Sequence, residues 1–205
     1  MAAEKTSAII KRNLFTENQV LRAILGICSS LAVTNTMRNS LVMGLGVAFV
    51  TGLSSLTLSL MRAAIPHRVR MLVQTLVIAA YVIFVDLFLQ AFIPDISKQL
   101  GPYVGLIITN CIIMGRAEAY AQQNPPIPSF LDGLFAGLGY TMVLLGVAFI
   151  REFLGFGTVF GFHVNFIGMD SWTIMIMPPA AFFIIGTMIW VMSARAANKA
   201  APASK

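Results

Sequence analysis

Residues 71–93 read MLVQTLVIAAYVIFVDLFLQAFI, with Asp86 the only charged side chain in the stretch. At about 1.5 Å per residue a helix of this length reaches roughly 34 Å, enough for the ~30 Å hydrocarbon core of a bilayer. Three further runs of the same kind flank it: Leu41–Met61, Phe130–Phe153 and Pro179–Met192, the last extended by its neighbours to Trp172 and Ala197. Composition agrees, since 58% of the 205 residues are hydrophobic and 11% charged, against about 25% charged in soluble domains. One soluble core of this length could not hide so much apolar surface. Nor does the net charge of +6 mark a nucleic-acid-binding protein: the 14 Lys and Arg stand singly or in pairs between apolar runs, not along a stripe. An all-α integral membrane protein is expected, with residues 1–205 as one domain.

Two other apolar runs, Ala23–Val33 and Val104–Gly115, are shorter. Eleven or twelve helical residues reach only about 18 Å, so each is expected to be a half-helix continued by irregular backbone or a tilted segment. Such backbone is tolerated at membrane depth only where protein or a cavity surrounds it. Counting both gives six crossings. The side holding both termini then carries Lys5, Lys11, Arg12, Arg22, Arg62, Arg68, Arg70, Arg116, Arg195, Lys199 and Lys205, and the other side Arg38, Lys98 and Arg151. Eleven cations against three place both termini in the cytoplasm by the positive-inside rule. The first run lies behind Lys5, Lys11, Arg12 and Glu17 without a small-x-small cleavage site, so no cleaved signal is expected. Leu25-Gly26-Ile27-Cys28 fails as a lipoprotein acceptor because Ile27 is bulky where a small residue is needed.

Gly46-Val47-Ala48-Phe49 recurs as Gly146-Val147-Ala148-Phe149, each copy in the long helix after a short cysteine-bearing segment. Cys28 precedes its copy by 18 residues and Cys111 by 35, the excess matching the extra loop Tyr120–Ser129. Repeat units of about 18–93 and 102–197 follow. With three crossings per unit, the second inserts upside down relative to the first, and interrupted helices of such repeats meet near the bilayer midplane. The short segments then enter from opposite faces and bring Cys28 and Cys111 towards one another.

These are the only cysteines, and with two histidines the chain cannot build a four-cysteine site alone. A membrane cysteine is commonly a small apolar packing residue; a disulfide needs close Cα approach and an oxidising setting. The third reading is that two thiolates make half of the four-thiolate shell of an iron–sulfur cluster, completed by a second protein. Asp86, between Val85 and Leu87, is either a functional ionisable group inside a span or a side chain reaching interfacial water. Asp132 follows Ser129 in a capping-box-like Ser129-Phe130-Leu131-Asp132; the alternative is a cation-handling site at the cytoplasmic mouth of the fifth crossing. Arg116 and Glu118 read as a pair at the interface, Arg151-Glu152 as interfacial residues at a helix end on the other side, and His67 and His163 as interfacial side chains without nearby ligands. Gly133-x3-Gly137 with Gly139 is a close-packing face, not a nucleotide fingerprint, because no strand precedes it. No catalytic triad, phosphate loop or paired acid–base site is visible.

Several stretches carry a family resemblance. Leu25-Gly26-Ile27-Cys28-Ser29-Ser30-Leu31-Ala32-Val33-Thr34 resembles the first signature of the D-type subunits of Na⁺-translocating NADH:quinone reductases. The second signature is longer: Asp95-Ile96-Ser97-Lys98-Gln99-Leu100, then Gly105 through Asn110-Cys111-Ile112-Ile113-Met114-Gly115-Arg116-Ala117-Glu118-Ala119. Ile127–Gly133 and Arg151-Glu152-Phe153-Leu154-Gly155 match as well, so the resemblance runs from about Asn18 to Met192. The E-type subunit of the related Rnf complex shares the cysteine motifs, but Asp95–Leu100 and Ile127–Gly133 look more like the quinone-reductase protein.

The resemblance implies a six-helix inverted repeat in a multisubunit complex of the bacterial inner membrane. That complex passes electrons from NADH through flavins and iron–sulfur centres to quinone and exports Na⁺. By similarity, Cys28 and Cys111 ligate an intramembrane [2Fe–2S] cluster completed by two cysteines of the homologous E-type subunit. The flavin-bearing B-type and C-type subunits and the NADH-oxidising F-type subunit are the further partners implied, with NAD, flavins and quinone bound elsewhere in the complex. Asp132 is similar to an acidic position associated with Na⁺ handling. The rival readings are an equivalent Rnf subunit, a redox-inert ion carrier lined by Asp86 and Asp132, and a scaffold that only holds partners together.

Overall fold

Prolines open three of the helices. In this computed structural model the described residues are 25–155, 158–159, 162–163 and 177–200. The helices are α1 (Ile27–Val33), α2 (Met37–Met61), α3 (Arg70–Phe92), α4 (Pro94–Ile108), α5 (Cys111–Arg116), α6 (Pro126–Gly155) and α7 (Pro178–Ala200). Pro94 and Pro126 each stand at the first position of a helix, where a missing N–H costs nothing. Ile93 ends α3 because the residue before a proline is driven out of helical geometry. A 3₁₀ turn at His67–Val69 leads into α3 and a π-helical turn at Ala117–Ala121 continues α5. Thr158–Val159 and Phe162–His163 form a two-residue antiparallel ladder.

The long apolar runs become α2, α3, α6 and α7. Three of these, Met37–Met61, Arg70–Phe92 and Pro126–Gly155, are long and apolar enough to cross a membrane. The expected fourth is apolar over Pro179–Arg195, a shorter stretch than the 18 or more residues of the other three. The run Val104–Gly115 is not one half-helix: the backbone breaks at Thr109–Asn110, between a 15-residue α4 and a six-residue α5. Asn110 causes the restart, its side chain accepting the Ile112 N–H in place of a backbone carbonyl. The N-terminal cations Lys5, Lys11, Arg12 and Arg22, and Lys205, lie outside the described residues.

The centre of the molecule is the pair α2 and α6, which run antiparallel. Gly44 faces Thr141, Ala48 faces Gly137 and Thr51 faces Gly133, so the numbering falls along one helix as it rises along the other. A Cβ at Gly133 would stand 2.8 Å from the Thr51 carbonyl oxygen, and one at Gly137 would collide with the Ala48 backbone. Glycine is therefore what permits this approach, as small-residue faces do between membrane helices. The Gly-Val-Ala-Phe copies lie in these two helices in matching surroundings. Val47, Ala48, Val147 and Ala148 are buried, while Phe49 and Phe149 are 44% and 46% exposed.

Polarity is arranged inside out. Ser29, Ser30, Thr34, Thr51, Asn110 and Asp132 are buried, whereas Leu72, Leu76, Ile83, Phe84, Leu87 and Phe88 of α3 are exposed. A water-soluble surface does not present such a face; one that meets lipid or a neighbouring membrane protein does.

Candidate functional site

Both cysteines sit in the first turn of a short helix, and the two helices meet at their starts. Cys28 is the second residue of α1 and Cys111 the first of α5. Gly26 precedes α1 with φ 82, in the left-handed region where glycine is at ease. A Cβ there would lie 2.6 Å from Ile112 Cδ1 and 3.2 Å from the Tyr140 ring, so the first cysteine segment packs directly on the second.

Hydrogen bonds complete the junction. Asn110 Nδ2 donates to Ser29 Oγ at 3.2 Å, Ser29 Oγ and Tyr140 Oη are 2.6 Å apart, and Ser29 Oγ donates to the Gly26 carbonyl at 3.2 Å. Asn110 Oδ1 accepts the Ile112 N–H at 3.1 Å. Tyr140 stands at the middle of α6, with roughly 20 Å of helix on either side of it. From this level α1 runs towards Thr34, which meets Arg151 near the end of α6, while α5 runs towards Arg116, which meets Asp132 near its start. The short helices thus leave the centre in opposite directions.

Both thiols are free; Cys28 is exposed and Cys111 half-buried. The disulfide weighed from the sequence is therefore not formed. Among the described residues no three or more of His, Cys, Asp and Glu group as metal ligands. His67 and His163 fall in the 3₁₀ turn and the small ladder, on separate segments.

Asp132 is not a cap. The helix begins at Pro126, so Ser129 lies inside its first turn with Oγ donating to the Pro125 carbonyl, and Asp132 comes in the next turn. Its carboxylate, 1% exposed, takes a two-pronged contact from Arg116: Nε to Oδ2 at 2.8 Å and Nη2 to Oδ1 at 2.5 Å. Glu118 accepts from Arg70 at 2.8 Å and from Gln74 at 2.9 Å, both on α3, while Arg116 reaches α6. Arg151 and Glu152, expected at the interface, are buried. Arg151 donates to Thr34 Oγ1 at 2.9 Å, and Glu152 accepts the Met37 N–H at 2.7 Å, closing the start of α2. Asp86 is half-buried near the end of α3 and accepts from Gln90 at 2.8 Å; the structure does not join it to Asp132.

Buried charge pairs, an apolar exterior and two short cysteine-bearing helices joined at their starts beside the middle of α6 define a polytopic helical membrane protein. The chain belongs to the Rnf-Nqr family: the pattern described as "Rnf-Nqr subunit, membrane protein" matches residues 6–189. It is 50% identical to the D subunit of the Na(+)-translocating NADH-quinone reductase of Chlamydia felis, over 91% of this chain and 92% of that one. The D subunit from Chlamydia caviae is 48% identical, over 98% and 99% of the two chains. That of Chlamydia pneumoniae is 48% identical, over 91% and 92%.

Sequence reading reached the cysteines but missed Tyr140, Ser29 and Asn110 as a unit. A signal was present: a tyrosine hydroxyl in the middle of an apolar helix needs a polar partner.

Proposed function

We propose that this chain is the D-type subunit of a Na⁺-pumping NADH:quinone reductase in a bacterial inner membrane, with six crossings as an inverted repeat and both termini cytoplasmic. Cys28 and Cys111 supply two thiolates to a [2Fe–2S] cluster shared with the homologous E-type subunit. The observation that carries this reading is the Ser29–Asn110 contact, which puts residues adjacent to the two cysteines within 3.2 Å of each other. The donor set fits half a shell: two free thiols, the more exposed one open to a second chain, and no third ligand among the described residues. Relatives named for the Na⁺-translocating reductase favour it over the Rnf equivalent.

When bound, such a cluster supplies one-electron transfer, relaying electrons towards flavins and quinone carried with NAD in other subunits. The chain's own residues do the holding. Gly26 and Ile112 close the inner side of the junction, and the buried hub of Ser29, Asn110 and Tyr140 keeps it dry and fixed. Added negative charge in such a low-dielectric place favours a compensating cation or helix shift. In the cation path of this proposal, Asp132 and Asp86 are the acidic stations, with Arg116 as the tethered counter-ion of Asp132. Coupling to Na⁺ export requires that the redox states prefer different arrangements of the short helices.

Cys28→Ala in the intact complex tests this. Quinone reduction should be lost while all subunits still co-purify; normal turnover would remove the ligand assignment.

A further inference from the structure

We propose that the Tyr140 hydroxyl, acting through Ser29 and Asn110, is the positioning group that sets Cys28 against Cys111. The neighbours of each cysteine in sequence do the holding. Ser29 follows Cys28, Asn110 precedes Cys111, Ile112 follows it, and Gly26 stands two residues before Cys28. All four enter one hydrogen-bonded chain: Ile112 N–H to Asn110 Oδ1, Asn110 Nδ2–H to Ser29 Oγ, and Ser29 Oγ–H to the Gly26 carbonyl.

A serine hydroxyl has one proton and two lone pairs. One lone pair of Ser29 Oγ takes the Asn110 Nδ2–H at 3.2 Å, and its hydroxyl and that of Tyr140 share a hydrogen bond at 2.6 Å in which either oxygen can donate. Ser29 thus bonds to Gly26 of its own segment, to Asn110 of the other and to Tyr140 of α6. Ser29 and Asn110 are each 3% exposed and Tyr140 1%, so water does not replace any of these partners. Ser29 and Asn110 belong to the two short segments, whereas Tyr140 is anchored at the centre of a 30-residue helix. The phenol thus references both cysteine segments to the long α6. It touches no reacting atom; it acts through its neighbours on where the thiols stand.

The link to a cluster rests on the proposed function, and the test separates the two. In the purified complex, Tyr140→Phe removes one oxygen and keeps the ring that packs on Gly26. Ser29→Ala breaks the hub from its centre, and Ser29→Thr retains the hydroxyl. Iron release to a chelator should be about fivefold faster in Tyr140→Phe and Ser29→Ala, the equivalent of one net hydrogen bond. Their reduced iron–sulfur EPR signals should broaden or shift, and Ser29→Thr should match wild type in both measurements. If Cys111→Ser removes the signal while Tyr140→Phe and Ser29→Ala keep wild-type line shape and release, the positioning role is wrong. If Cys111→Ser leaves the signal intact, the cluster assignment itself falls.

Discussion

Replacing Arg116 with Met probes the buried ion pair that joins α5 to α6. The guanidinium meets Asp132 through two nitrogens at 2.8 and 2.5 Å, with Arg116 8% and Asp132 1% exposed. Burial this complete leaves little solvent screening to discount. Removing one partner of such a pair strands the other's charge and costs roughly 3–5 kcal/mol. For a domain of this size 1 kcal/mol moves the melting point by about 2–4 °C, so Arg116→Met should melt roughly 6–20 °C lower. Arg116→Lys keeps the charge but cannot make the fork, and should fall between. The decisive member is Arg116→Met combined with Asp132→Leu, which removes both halves of this fork together. It should recover to within about 4 °C of wild type, because a buried ion pair and a packed apolar pair are similar in net worth. Thermal melting of the purified complex in one detergent measures all of these variants. A double variant melting as low as the two single losses added would refute the reasoning, as would an Arg116→Met protein that melts like wild type.

Two further perturbations test the junction's supports. Glu152→Ala removes the carboxylate that accepts the Met37 N–H at 2.7 Å and should cost about 1.5–3 kcal/mol in the same melting assay, with Glu152→Gln losing less. Gly26→Ala forces a left-handed residue to carry a Cβ, at about 1–2 kcal/mol, and drives it against Ile112 and Tyr140. Iron per complex should therefore fall in Gly26→Ala more than in Gly101→Ala, where a Cβ meets nothing within 4 Å.

What the sequence disclosed depended on how local each signal was. Apolar runs and prolines are local, and α2, α3 and α6 lie where the runs put them. The Gly-Val-Ala-Phe repeat is also local, and the antiparallel packing of its two helices gives its copies the same buried and exposed positions. Asp132 was harder to read. Its spacing from Ser129 imitates a cap, and only the packing of α5 on α6 reveals Arg116, 16 residues earlier, as its partner. Arg151 and Glu152 fall at a helix end, where charge ordinarily means water, yet Thr34 and the Met37 N–H more than a hundred residues away bury both. Tyr140 joins segments 30 and 111 residues distant, a relation that no periodicity carries.

The central claim is that this chain gives two thiolates to a shared iron–sulfur cluster, and iron content with EPR of the intact complex bearing Cys111→Ser tests it most directly. The account predicts loss of that iron–sulfur signal and its share of iron, with the partner subunits still present. An unchanged signal and unchanged iron would contradict it.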